Sequence, residues 1–145
     1  MEINRSAPLV ADHQITIQTS KSVVWSLLTD IDRWPQWHDG ITRAHLEGPL
    51  VPGSQFRWTS GGTAIVSTLQ TVVPEQEFGW TGTALGTTTA HLWVLKETDA
   101  GTLVTTNESM SGWLIRAVKL IMPTFLDDAL VSWLTALKQS AEANS

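Results

Sequence analysis

Cysteine and tyrosine are both missing from the 145 residues. Without cysteine there is no disulfide, no thiolate nucleophile and no cysteine-ligated zinc or iron–sulfur centre. Positive charge is sparse: 9 Lys and Arg face 14 Asp and Glu, the net charge is −5, and no basic cluster occurs. Nucleic-acid binding starts from a basic patch that displaces counterions, so a nucleic-acid partner is not expected. Long apolar runs are absent too. No stretch reaches the roughly 20 apolar residues of a membrane span. Residues 1–12, with Glu2, Asn4, Arg5 and Pro8, read as neither signal peptide nor anchor. A cytoplasmic protein without a membrane span is the expectation.

What is present is globular in composition, with 42% hydrophobic and 16% charged residues, too apolar and too weakly charged for disorder. The length suits a single domain over residues 1–145, burying about 70% of its unfolded surface. The unusual feature is 8 Trp against 3 Phe, so indole carries most of the aromatic area.

Residues 12–19 alternate, His13, Ile15 and Ile17 on one side and polar residues on the other, which predicts a strand. Ser20 is placed to cap a helix in which Val24, Leu27, Leu28 and Ile31 recur at helical spacing up to Pro35. The segment from Trp34 to His38 turns or starts a second short helix. A loop with Gly48, Pro49, Pro52 and Gly53 leads to strand-like runs at 55–60, 63–73, 77–83, 87–97 and 102–110. Gly61-Gly62, Pro74-Glu75, Leu85-Gly86 and Asp99-Ala100-Gly101 mark the turns between them. From Trp113 the chain is helical, broken near Pro123, with Leu126, Leu130, Trp133, Leu134 and Leu137 as its apolar stripe. Short sequential connections favour antiparallel neighbours, and a long amphipathic helix needs a face to cover. The pattern predicts an α+β domain, a curved antiparallel sheet around a C-terminal helix.

Closing each hairpin at its turn pairs Trp58 with Ile65, Phe56 with Ser67, His91 with Glu108, Trp93 with Thr106 and Leu95 with Val104, and places Trp80 near Thr71 and His91. One face then collects Phe56, Trp58, Ile65, Leu69, Trp80, His91, Trp93, Leu95, Val104, Glu108 and Met110. The other receives Arg57, Thr68, Gln70, Thr81, Lys96, Thr105 and Asn107. Three indoles and a phenyl ring under one helix suggest an aromatic-lined internal cavity, although each Trp taken singly is better explained as core. Trp25 and Trp34 are assigned to anchoring the first helices, Trp37 and Trp113 to the cavity entrance, and Trp133 to the long helix. The candidate ligand-binding set is Trp37, Phe56, Trp58, Ile65, Leu69, Trp80, His91, Trp93, Glu108, Met110, Leu130 and Trp133.

The run from Val24 to Trp37, VWSLLTDIDRWPQW, is similar to the first-helix signature of the START/pollen-allergen-like superfamily, the polyketide cyclase/dehydrase and lipid-transport group. Further matches are Trp80-Thr81-Gly82, His91-Leu92-Trp93, Gly101-Thr102-Leu103-Val104 followed by Glu108 and Gly112, and Leu137-Lys138 with Glu142. The resemblance implies a helix-grip fold with two short helices after the first strand. It implies a ligand that is a lipid, a polyketide or another hydrophobic compound, a cyclase or dehydratase, or a chaperone-activator-like interaction module. Fold alone does not choose among these.

His91 and Glu108 are the one polar pair on the inner face and the candidate catalytic residues, fit for proton transfer in an enolisation or dehydration. The plain alternative is that Glu108 is merely satisfied by His91 or Ser67. His13, His38 and His45 lack metal-ligand spacing, so neither a metal nor a cofactor is expected; His38 is assigned to the solvent side near the entrance. The apolar segment from Trp113 to Phe125, interrupted by Arg116 and Lys119, fits a gate, a docking surface or more core. A hydrophobic small molecule is the expected partner, and a homodimer is left open.

Overall fold

Strands form in the computed structural model where period-two alternation meets turn residues, and it describes residues 1–144. The first strand, β1, runs Leu9–Ile17. Helix α1 follows at Lys21–Thr29, and the Ser20 hydroxyl accepts from the Val23 N–H at 3.4 Å. A 3-10 turn at Ile31–Arg33 leads into the one-turn helix α2, Trp34–Trp37. Pro35 sits in its first turn, where a missing N–H leaves no hydrogen bond unmade.

The remaining strands are β2 (Ile41–Glu47), β3 (Gln55–Ser60), β4 (Thr63–Val73), β5 (Glu77–Ala84), β6 (Thr87–Thr98) and β7 (Gly101–Ser111). Helix α3 (Trp113–Ile121) and the long α4 (Phe125–Ala143) close the chain. All strands join one antiparallel sheet in the order β1-β7-β6-β5-β4-β3-β2, so β1 is stitched to the last strand. The sheet curves around α4, which packs on β1 and β7 and also touches α1 and α2. This is the expected helix-grip architecture.

Two expectations need correction. Strand β2 was not among the predicted strands, because a register shift between Ile41 and Arg43 puts its inward residues at Ile41, Ala44 and Leu46 and breaks the alternation. Trp80 pairs with Leu69 rather than lying near Thr71: the turn sets Gly79 opposite Thr71, and a second irregularity between Leu69 and Thr71 then skips Gln70. The other pairs hold: Trp58 with Ile65, Phe56 with Ser67, Trp80 with His91, His91 with Glu108, Trp93 with Thr106 and Leu95 with Val104.

The β6–β7 turn requires glycine. Gly101 has φ +129°, and a Cβ there would collide with the Ile17 carbonyl oxygen.

Two apolar clusters fill the interior. The larger lies between the sheet, α1, α2 and the second half of α4, and includes Trp34, Phe56, Leu69, Trp80, Trp93 and Trp133. The smaller, with Leu9, Ala11, Ile115, Leu126 and Leu130, sits under α3 and the start of α4.

Candidate functional site

The concave face of β3 to β6 presents rings because Phe56, Trp58, Trp80, His91 and Trp93 occupy alternate, inward positions. Trp34 enters this set from α2 as its hub. Its ring centroid lies 5.5 Å from Phe56, 5.4 Å from Trp58 and Trp80, and 5.0 Å from Trp133 on α4. Its Nε1–H donates to the Leu28 carbonyl at 3.0 Å, which caps α1 onto the cluster. Edge-to-face ring pairs contribute about 0.5–1.5 kcal/mol each beyond area burial. The expected aromatic lining is thus a packed ring cluster, and Trp133 occupies its helix side.

Trp133 is surrounded by hydrogen-bond donors that lack acceptors. Trp37 Nε1, His38 Nε2 and Trp93 Nε1 are buried and unpartnered. His38 Nδ1 accepts from the Gly40 N–H at 3.1 Å, so the proton of the neutral imidazole is on Nε2. Burial favours that neutral form by lowering the His38 pKa. All three atoms are therefore donors. Their rings meet Trp133 at interplanar angles of 66°, 71° and 70°, with centroids 5.8, 4.6 and 5.5 Å away. An unsatisfied buried donor costs about 1–3 kcal/mol.

Beside this cluster is the His91–Glu108 pair. His91 Nδ1 is 3.2 Å from Glu108 Oε1, and His91 Nε2 is 2.7 Å from Thr106 Oγ1. Burial lowers His91 to about 3 and raises Glu108 to about 8. Glu108 keeps 13% of its side chain accessible, which tempers the shift without reversing it, because burial is the cause and no cation opposes it. Burial thus opposes charge on both groups and favours a neutral imidazole beside a protonated carboxyl. His91 also stacks on Trp93 at 5.1 Å and 24°. A protonated carboxyl next to a basic nitrogen can give a proton and recover it, the minimum for general acid–base chemistry.

The sequence-derived set divides. Trp37, Phe56, Trp58, Trp80, His91, Trp93 and Trp133 come together through ring contacts, and Leu69 is buried in the same cluster. Ile65 packs at its margin and, with Trp58, Pro35, Ala44, Arg43 and Arg57, borders a surface groove of about 540 Å³. Met110 and Leu130 belong to the smaller cluster. Glu108 meets His91, whereas Ser67 accepts from Trp58 Nε1 at 3.0 Å.

Sequence reasoning missed Trp34 and His38. Trp34 is bonded to α1 at the Leu28 carbonyl, as an anchor would be, and is also completely buried as the hub of the cluster; His38 is buried rather than on the solvent side. The signal was there: Ile31, Trp34 and His38 follow at i, i+3 and i+7, continuing the buried stripe of Val24 and Leu28. His13 and His45 lie elsewhere, bonded to Asp127 at 2.8 Å and Asp32 at 3.1 Å.

A different surface appears at α3. Trp113, Leu120, Ile121 and Met122 are exposed, and Leu85 joins them from the β5–β6 turn. Among the described residues no single helix is long and apolar enough to cross a membrane.

The fold has many solved relatives at low identity. A hypothetical protein from Helicobacter pylori superposes with TM-score 0.84 at 16% identity, covering 94% of this chain and 90% of that one. A START superfamily protein from Mycobacterium smegmatis gives 0.76 at 12%, covering 94% and 99%. The ZhuI aromatase/cyclase from a Streptomyces species gives 0.76 at 14%, covering 92% and 93%. No curated protein matches the chain. The sequence pattern of one family, described as polyketide cyclase / dehydrase and lipid transport, matches residues 9–142. With that match spanning nearly the whole chain and the helix grip beneath it, the protein belongs to the polyketide cyclase / dehydrase and lipid transport family.

Proposed function

We propose that the protein binds a hydrophobic, ring-bearing small molecule that carries acceptor oxygens, in the space between the concave sheet and α4 that Trp133 now fills. The observation that carries this reading is a set of three buried, unpartnered N–H donors, on Trp37, His38 and Trp93, whose rings all contact one indole, Trp133. Natural cores satisfy nearly all such groups. A flat ligand that displaces the Trp133 side chain keeps the stacking area and supplies the missing acceptors. Each donor newly satisfied by an oxygen contributes about 0.5–1.5 kcal/mol, so the site prefers an oxygenated polycycle to a bare hydrocarbon. The family's description and its aromatase/cyclase relative are consistent with such a ligand.

Equilibrium dialysis with a hydroxyanthraquinone and with anthracene tests it. The oxygenated probe is expected to bind more tightly by roughly tenfold, the equivalent of one or two hydrogen bonds. Trp133→Leu, which shrinks the plug while keeping the helix apolar, is expected to bind more tightly still. Absence of binding in both proteins would overturn the reading, and equal binding of the two probes would remove the role of the donors.

A second reading rests on its own observation, the buried contact between His91 and Glu108. In that reading the bound molecule is an enolisable ketone, His91 or Glu108 moves its proton, and the reaction is a cyclisation or dehydration. Hydrogen–deuterium exchange of a bound ketone, lost in both His91→Gln and Glu108→Gln, is the expected result. Unchanged exchange in the two variants would reduce the pair to a structural contact.

A further inference from the structure

We propose that the α3 face is a docking surface for an anionic lipid bilayer. It carries more exposed apolar surface than any core requirement explains: Trp113 is 67% exposed, Leu120 87% and Ile121 79%, with Leu85 at 77% beside them. The neighbouring turn is fixed to the helix, because the Leu114 N–H donates to the Gly86 carbonyl at 3.2 Å. Trp113 and Leu85 thus form one continuous patch.

Three stripes divide α3. Ile115, with Leu114 and Val118 half-buried, faces the protein. Trp113, Ala117, Leu120 and Ile121, at i, i+4, i+7 and i+8, make an apolar stripe that faces solvent. Arg116 and Lys119, both exposed, run alongside it. That arrangement puts an apolar surface where it can enter the acyl boundary, with two long cationic side chains placed to reach lipid headgroups.

Charge and shape select a bilayer as the occupant. The chain carries a net −5, yet residues 113–125 hold Arg116 and Lys119 and no acidic residue. The nearest carboxylates on α4 are engaged, Asp127 with His13 at 2.8 Å and Asp128 with the Thr124 hydroxyl at 3.1 Å. A second copy is a poor match, because a two-fold contact sets the same patch against itself and buries four cations with no acidic residue of 113–125 to meet them. The corner is also convex, with α3 and α4 meeting at 89°, and Leu120 to Met122 project at its tip. A fluid interface accommodates such a wedge without needing a complementary groove.

The test is flotation of the full chain with phosphatidylcholine vesicles, with and without phosphatidylglycerol, alongside light scattering for oligomeric state. Binding to anionic vesicles is expected, weakened by salt. Pure phosphatidylcholine should bind about 30-fold more weakly, the fold-change for two basic residues at about 1 kcal/mol each. Arg116→Gln with Lys119→Gln should erase that preference, and Leu120→Ser with Ile121→Ser should abolish binding while leaving the melting temperature unchanged, since both side chains are exposed. No binding to anionic vesicles would overturn the proposal, as would binding that survives the double serine variant. A concentration-dependent dimer, lost in the serine variant and without vesicle binding, would make the face a self-association surface instead. None of these outcomes depends on the interior ligand site.

Discussion

Replacing Glu108 by glutamine is expected to remove the alkaline limb of a pH dependence that the His91–Glu108 pair imposes on stability. Burial raises Glu108 from 4.5 to about 8. Between those values the unfolded chain has released a proton that the folded chain still holds, so stability is lost as the pH rises. His91, lowered from 6.5 to about 3, acts in the opposite sense. Between those values the unfolded chain holds a proton that the folded chain lacks, so stability is gained as the pH rises. The two slopes offset each other from 4.5 to 6.5, leaving a plateau there and a loss on either side. Above 6.5 the Glu108 slope stands alone. Its span of about 1.5 pH units, at about 1.4 kcal/mol per unit, amounts to about 2 kcal/mol.

Urea unfolding at pH 6.5 and pH 8, the unperturbed His91 value and the raised Glu108 value, measures it directly. The native protein should lose about 2 kcal/mol more than Glu108→Gln over that interval, and the subtraction removes the titrating groups that do not contact Glu108. Such a curve counts the protons of the pair without saying which atom carries them. Infrared spectroscopy supplies that information: the carbonyl stretch of a protonated carboxyl should be present in the native protein at pH 6.5 and absent in the variant. Equal losses in the two proteins would refute the buried, protonated Glu108. A missing carboxyl band would replace the neutral pair with an imidazolium and a carboxylate.

Three further perturbations separate the roles of individual groups. Thr106→Val keeps the side-chain shape but removes the oxygen 2.7 Å from His91 Nε2, so chemical denaturation should show a loss of about 1–3 kcal/mol. Trp34→Phe strips the Leu28 carbonyl of its donor whereas Trp93→Phe deletes an N–H that has no acceptor; the first should cost roughly 2 kcal/mol more than the second, and equal losses would contradict the donor assignment. Gly101→Ala adds a collision with the Ile17 carbonyl to a φ of +129°, so its melting temperature should fall well below that of Gly53→Ala, where φ is +95° in open space and the cost is about 1–2 kcal/mol.

The sequence disclosed most of the sheet because alternation and turn chemistry are local. Gln55–Ser60 and Thr63–Val73 fall on their predicted bounds, and Gly61-Gly62 sets a register that puts Trp58 opposite Ile65. What stayed hidden depends on breaks in period two. The irregularity after Ile41 masked β2, and the one between Leu69 and Thr71 shifted Trp80 by one position on β4, from Gln70 to Leu69. In the site, the strand-borne rings were legible from their shared face. For Trp34 and His38 the spacing signalled burial but not a place in the cluster, since that place follows from how a 3-10 turn and one turn of helix fold back over the sheet, which is a tertiary event. The missing hydrogen bonds at Trp37 and Trp93 are likewise invisible to a pattern that counts both as apolar rings.

Those missing bonds bear on why the chain is so rich in tryptophan. A ring cluster built only for stability gains nothing from an indole whose N–H is buried without an acceptor, because an apolar ring of similar shape avoids that desolvation cost. Trp34 and Trp58 meet the criterion, donating to the Leu28 carbonyl and the Ser67 hydroxyl. Trp37 and Trp93 do not, and with His38 they face the same residue, Trp133. Local choices that conflict with packing are expected where function rather than stability selects the residue. The conflict here is confined to rings that contact Trp133, the indole that α4 contributes to the cluster.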